Sequence, residues 1–191
     1  ASQSDAGKVT ITANTLTLEN GSIATNSVSE GRGGDVVLNV GSASLSNGTT
    51  INSSTSGTGR AGDILITANQ SVTVDSGSII SASTIGQGNA GNVMLQARTL
   101  TVTNGSEIST SARPPEDFSG LPSNLTGNAG NIELTTTGNS LVVSNGGIIA
   151  SSSETGGNAG TILLTTPSLT LNNGTITTSA SSSGNAGSIT A

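Results

Sequence analysis

The sequence predicts an all-β fold, one parallel β-helix or β-solenoid of about six coils of about 28 residues, with three short strands per coil. Three observations predict it. The stretch Gly88-Asn89-Ala90-Gly91-Asn92-Val93 keeps returning along the chain. Between its copies the aliphatic residues alternate with polar ones, as half-buried strands do. And no segment has the spacing of an amphipathic helix or the paired runs of a hairpin.

The motif recurs as Gly127-Asn128-Ala129-Gly130, Gly157-Asn158-Ala159-Gly160 and Gly184-Asn185-Ala186-Gly187, and in shorter form at Asp5-Ala6-Gly7, Arg32-Gly33-Gly34 and Arg60-Ala61-Gly62. Counted on its last glycine, the steps are 27, 28, 29, 39, 30 and 27 residues. A fixed period of this size marks stacked repeats, whose units bury their apolar faces only against one another.

The strands follow in order within each copy. The first carries Val9, Val36, Ile64, Val93, Ile132, Ile162 and Ile189 in one column and Ile11, Leu38, Ile66, Leu95, Leu134 and Leu164 in the next. The second carries pairs such as Val72 and Val74, or Leu100 and Val102. The third centres on Ile23, Ile51, Ile80, Ile108, Ile149 and Ile176. Between the second and third stands a glycine (Gly21, Gly48, Gly77, Gly105, Gly146 or Gly174), usually after Asn, which suits a corner that needs positive φ. Stacking at about 4.8 Å per coil gives a rod roughly 30 Å long.

Two polar columns flank the motif. Asp5, Arg32, Arg60, Asn89, Asn128, Asn158 and Asn185 precede the Ala-Gly pair, and Lys8, Asp35, Asp63, Asn92, Asn131, Thr161 and Ser188 follow it. Charges in the first three coils are opposed across the corner, with Asp5 also stacked on Arg32 and Lys8 on Asp35. Later coils use Asn, whose amide both gives and accepts hydrogen bonds, so Asn89, Asn128, Asn158 and Asn185 are expected to form a structural ladder.

The 39-residue step holds an insertion of about eleven residues, a surface loop at about 112–126. It contains the one Phe of the sequence and three of its four prolines. Arg113, Glu116, Asp117 and Phe118 are its candidate contact residues. A second candidate is the outward column of the first strand. Val37, Leu65 and Met94, with Leu163 farther on, form an apolar stripe where polar residues are expected.

Composition narrows the function. Charged residues make up 8% and aromatics 1%, which excludes both a broad globular core and a highly charged disordered tail. Cys and His are absent, removing thiolate and imidazole metal sites and the commonest general base. The net charge of −6 disfavours nucleic acid. No apolar run approaches the roughly 20 residues that cross a bilayer, so no membrane insertion is expected. Asp35 and Asp63 are the one stacked acid pair, and each is flanked by Arg. They fall short of the six to eight oxygens of a Ca²⁺ site, so neither metal nor cofactor is expected.

The unit Ala-Gly-x-Ile-x-Ile…Leu-x-Leu-x-Asn-Gly-Ser-x-Ile…Gly-x-Gly-Asn-Ala-Gly, clearest from Ile64 to Leu95, resembles the repeats of large bacterial exoproteins related to filamentous haemagglutinin, especially cyanobacterial ones. The resemblance covers essentially the whole of 1–191, read as a single domain. It implies a right-handed β-helix, folded outside the cell after two-partner secretion and commonly associated with adhesion. Neither end carries a polar cap, so the protein reads as a segment of a longer array or a unit that stacks end to end.

The function expected is a non-catalytic structural or adhesive segment of a secreted, cell-surface or extracellular-matrix exoprotein, able to form filaments. Its expected partners are other copies, end to end or laterally, and a surface glycan or other cell-surface partner. The alternatives are a fragment of a polysaccharide-processing β-helix enzyme, which the missing aromatics disfavour, and an ice-binding solenoid. A partial Thr column, Thr17, Ser44, Thr73, Thr101, Val142 and Thr170, speaks for the last.

Overall fold

The computed structural model describes residues 5–28, 30–114 and 125–191. Among these described residues the regular structure is fifteen strands and no helix, and every strand pair is parallel. One sheet holds β1 (Val9–Glu19), β3 (Val36–Ser46), β5 (Ile64–Ala68), β8 (Val93–Val102), β10 (Ile132–Ser144), β12 (Ile162–Thr165) and β15 (Ile189–Thr190) in that order, with β6 (Ser71–Val74) and β13 (Leu169–Asn172) alongside. The other holds β2 (Ser22–Ser27), β4 (Thr50–Thr55), β7 (Ile79–Ile85), β9 (Glu107–Arg113), β11 (Ile148–Ser153) and β14 (Thr175–Ala180). The protein is therefore a parallel β-solenoid of about six turns.

The columns read from the sequence are the registers of the structure. Val9 pairs with Val36, Val36 with Ile64, Ile64 with Val93, and so on to Ile162 with Ile189. Three segments per coil are present, yet β1, β3, β8 and β10 each run the first and second segments together as one bent strand. The fold thus has two sheets rather than three. At the bend the inward column is Ala13, Val40, Ala68, Ala97 and Thr136, the last four buried.

Register also explains the unequal steps. Glu19 to Ser22 is one residue shorter than its partner span, Ser46 to Thr50, which gives the first 27-residue coil. The last coil is short at the same corner. An extra residue between Ala68 and Val72 makes 29, and a bulge between Thr136 and Ser140 makes 30. Ile85 pairs with Arg113, after which the backbone takes eleven more residues to reach its next Ala-Gly glycine than the coil below, the insertion expected from the sequence.

The corner glycines need a correction. The left-handed residue common to all six corners is the one before: Asn20, Asn47, Ser76, Asn104, Asn145 and Asn173, with φ from 48 to 55°. Gly48, Gly77, Gly105 and Gly146 follow it into positive φ, whereas Gly21 and Gly174 do not. In register Gly21 sits with Thr49 and Gly174 with Gly147, because their corners are one residue short. Asn tolerates the left-handed region better than other side chains, which suits it to the shared position. The motif glycines serve a different purpose. A Cβ on Gly91 or Gly130 would overlap the carbonyl oxygen of Gly62 or Gly91 one coil below, so close approach rather than positive φ demands glycine there.

Aliphatic columns fill most of the interior, with Leu38, Ile66, Val74, Ile80, Leu100, Leu134 and Ile149 essentially without solvent contact. The half behind the motif corner is instead lined with hydroxyls. Ser53 Oγ donates to Gly34 O (2.8 Å), while Thr110 Oγ1 (2.6 Å) and Ser151 Oγ (2.9 Å) both donate to Gly130 O. These carbonyls point inward, and buried serine and threonine are what satisfies them.

Candidate functional site

The polar columns form two ladders in which side-chain oxygens accept backbone N–H groups. Asn89 Oδ1 accepts the N–H of Asn128 (2.9 Å), Asn128 Oδ1 that of Asn158 (2.7 Å) and Asn158 Oδ1 that of Asn185 (2.8 Å). On the far side of the Ala-Gly pair, Asp35 serves Asp63, Asp63 serves Asn92, Asn92 serves Asn131 and Asn131 serves Thr161, at 2.7 to 2.9 Å. Backbone carbonyls of the same columns accept the neighbouring amides, such as Ala90 N–H to Asn128 O (2.8 Å) and Val93 N–H to Asn131 O (3.0 Å). The expected amide-to-amide stack is limited to one bond, Asn128 Nδ2 to Asn89 Oδ1 (3.0 Å). The geometry favours the main-chain donor because the corner turns those N–H groups away from any backbone carbonyl.

Of the opposed charges, Arg60 and Asp63 meet, with Nη2 2.6 Å from Oδ1 and Nη1 3.2 Å from Oδ2. Asp5 instead accepts the backbone N–H of Arg32 (2.7 Å), and neither Asp5 with Lys8 nor Arg32 with Asp35 forms an ion pair. Charges left in water gain little by pairing. Partial burial alone would raise the Asp63 carboxyl. The Arg60 hydrogen bond, the Asn92 N–H and the charges of Arg60 and Arg32 outweigh it and hold the pKa below its ordinary value.

The apolar stripe is brought together as read: Val37 pairs with Leu65 and Leu65 with Met94. All three are half-buried. Glu133 follows Met94 and separates it from Leu163, which is 38% exposed. Leu65, Met94, Gln96, Glu133 and Thr135 border a shallow depression of about 190 Å³.

Arg113 ends β9, and its guanidinium Nε lies 3.6 Å from Glu154 Oε1, a partner the sequence did not suggest. Glu116, Asp117 and Phe118 lie outside the described residues. A second depression, about 210 Å³, runs from Arg113 across Ser81, Ser83, Ser109 and Ser111 to Ile79. A third, about 600 Å³, follows the bend at Thr12, Asn14, Asn39, Gly41, Thr67 and Asn69, with Ala13 and Val40, and its lining is uncharged.

Among the described residues no three of His, Cys, Asp and Glu cluster as metal ligands, and no helix is long and apolar enough to cross a membrane. Fold and surface define an all-β parallel β-solenoid repeat protein. No protein-family model matches the sequence, and neither a curated protein nor a solved structure matches it at a significant level.

Proposed function

We propose that the protein is a non-catalytic structural or adhesive segment of a secreted or cell-surface β-helical exoprotein of the filamentous-haemagglutinin-like type. The observation that carries this reading is how the three acids beside the motif corner are used. The carboxylates of Asp5, Asp35 and Asp63 are spent on backbone N–H groups, and Asp63 also on Arg60. Cleaving a glycosidic bond needs carboxyl groups free to face the bond, as a pair about 5 to 9.5 Å apart. Outward columns of Thr, Asn and Ser favour contact with water and hydroxylated surfaces.

The test presents the purified protein to immobilised acidic and neutral polysaccharides and to cell surfaces, with and without Ca²⁺. Retention without consumption of the polysaccharide is the expected result, weakened by deletion of residues 115–124. Product release in proportion to protein would replace this reading with that of a polysaccharide-processing enzyme.

A further inference from the structure

Two depressions follow the bend between the first and second segments of the coil. One, about 600 Å³, crosses the first three coils at Thr12, Asn14, Asn39, Thr67 and Asn69. The other, about 360 Å³, crosses the third and fourth at Gln70, Ser71, Arg98 and Thr99. They abut at the consecutive residues Asn69 and Gln70, and the pairing of β1 with β3, β3 with β5 and β5 with β8 stacks them along the axis. Together they make a groove four coils long, roughly 14 Å between its outermost coils at the strand spacing.

Elsewhere the protein commits its amides. Asn89, Asn92, Asn128 and Asn131 serve backbone N–H groups, and Asn47 and Asn104 are tied to carboxylates. In the groove Asn14, Asn39, Asn69 and Gln70 are exposed. Among the described residues none of these four side-chain amides has a hydrogen-bond partner, nor does the hydroxyl of Thr12, Thr67, Ser71 or Thr99. Gly41 adds backbone only, since a Cβ there would overlap the Asn14 carbonyl oxygen. No carboxylate and no aromatic side chain lines either depression. Arg98 is exposed and, among the described residues, has no ion-pair partner, unlike Arg60 and Arg113.

We propose that this groove is a polysaccharide-binding site for an extended, hydroxyl-rich chain with sparse uronic acids, and that Arg98 receives a carboxylate of that chain. The proposal rests on the adhesive reading and names its contact site. A side-chain amide both gives and takes a hydrogen bond, as a hydroxyl does, and neighbouring hydroxyls of a sugar ask for the same pair. Each coil rises by about 4.8 Å, close to the rise of one sugar in an extended β-linked chain, so successive coils meet successive sugars. The lining has no aromatic or Met anchor of the kind that protein interfaces favour. A net charge of −6 turns away nucleic acid and densely acidic polymers. One Arg on an otherwise uncharged lining suits a chain whose carboxylates are few. Without a ring to stack on the sugars each coil contributes weakly, and affinity accumulates with chain length up to about four sugars, one per coil.

The test titrates the intact protein with two soluble β-linked polymers, a neutral arabinoxylan and a glucuronoxylan bearing sparse uronic acids. The wild type is expected to bind both, the glucuronoxylan roughly tenfold more tightly, with the difference lost in high salt. Asn39→Ala combined with Asn69→Ala should weaken binding of both polymers roughly tenfold, about one net hydrogen bond for each amide. Arg98→Gln should remove only the preference for the glucuronoxylan. All three side chains are exposed and unbonded within the protein, so these variants should melt as the wild type does. Equal binding by the wild type and the double Asn variant, or an Arg98→Gln variant that loses both polymers alike, overturns the proposal. A wild type that binds cell surfaces but neither polymer removes the groove assignment and leaves the adhesive reading standing. Binding to neither cells nor polymers removes both.

Discussion

At the motif corner the amide oxygen of an Asn stands in for a backbone acceptor that the turn has moved out of reach. The bond needs an oxygen at that place and makes no use of the nitrogen of Asn158, so Asp35 and Asp63 do the same work in earlier coils. Asn158→Ala, which strips the acceptor from the Asn185 N–H, should cost about 0.5–1.5 kcal/mol, and Asn158→Asp should cost little. Thermal melting distinguishes them, with a drop of about 2–4 °C expected for alanine alone. Asp63 adds a pH dependence. Its folded pKa lies below the ordinary value of 3.8, so the unfolded state binds the proton first. The stabilisation is full above that value, is lost as pH falls through the folded pKa, and vanishes below both. Melting curves of Asp63→Asn should therefore be flatter than wild type below about pH 4, with the two alike in slope near neutrality.

A coil can lengthen or shorten only where its register allows, which separates what the sequence showed from what it hid. Aliphatic columns were legible because period two and period 28 both survive substitution among Val, Ile and Leu. The glycine column was misread because Gly21 and Gly174 follow Asn as the others do, and only strand pairing reveals that their corners are one residue short. The buried hydroxyls were hidden for a related reason. Ser53, Thr110 and Ser151 look like outward polar residues until the inward Gly carbonyls that need them are in view. Glu154, the ion-pair partner of Arg113, belongs to another coil and carries no local signal. Ser76 is the exception among the left-handed residues, so Ser76→Asn should raise the melting temperature slightly, since Asn adopts this conformation more readily. Register itself is tested across neighbouring positions. Ile80→Asp places a lone carboxylate among aliphatics and should cost at least about 3 kcal/mol, whereas Ser81→Asp, facing outward, should leave circular dichroism and melting near wild type. Equal damage from both would invert the faces assigned to β7.

Over the whole molecule, the surface of the first sheet is where association between rods is most readily tested. Its outward columns are mainly Thr, Asn and Gln, yet Val37, Leu65 and Met94 stand in consecutive coils, spaced by the strand pairing and continuous along the axis. Scattered apolar residues on a surface are ordinary, but a row with matching neighbours buries more if a second surface lies along it. A second rod set side by side could cover the row with its own, each coil meeting one coil of the partner at the same spacing. Glu133 closes the row at one end, so such contact would span three coils rather than the full length. We expect light scattering of the wild type to rise with concentration. Leu65→Lys combined with Met94→Lys should remain monomeric, with unchanged circular dichroism and a melting temperature within a few degrees of wild type, because both residues point out of the core. A wild-type protein that stays monomeric at high concentration, beside a double variant that melts far lower, would mean that the row is covered within its own molecule, and lateral pairing of rods would be wrong.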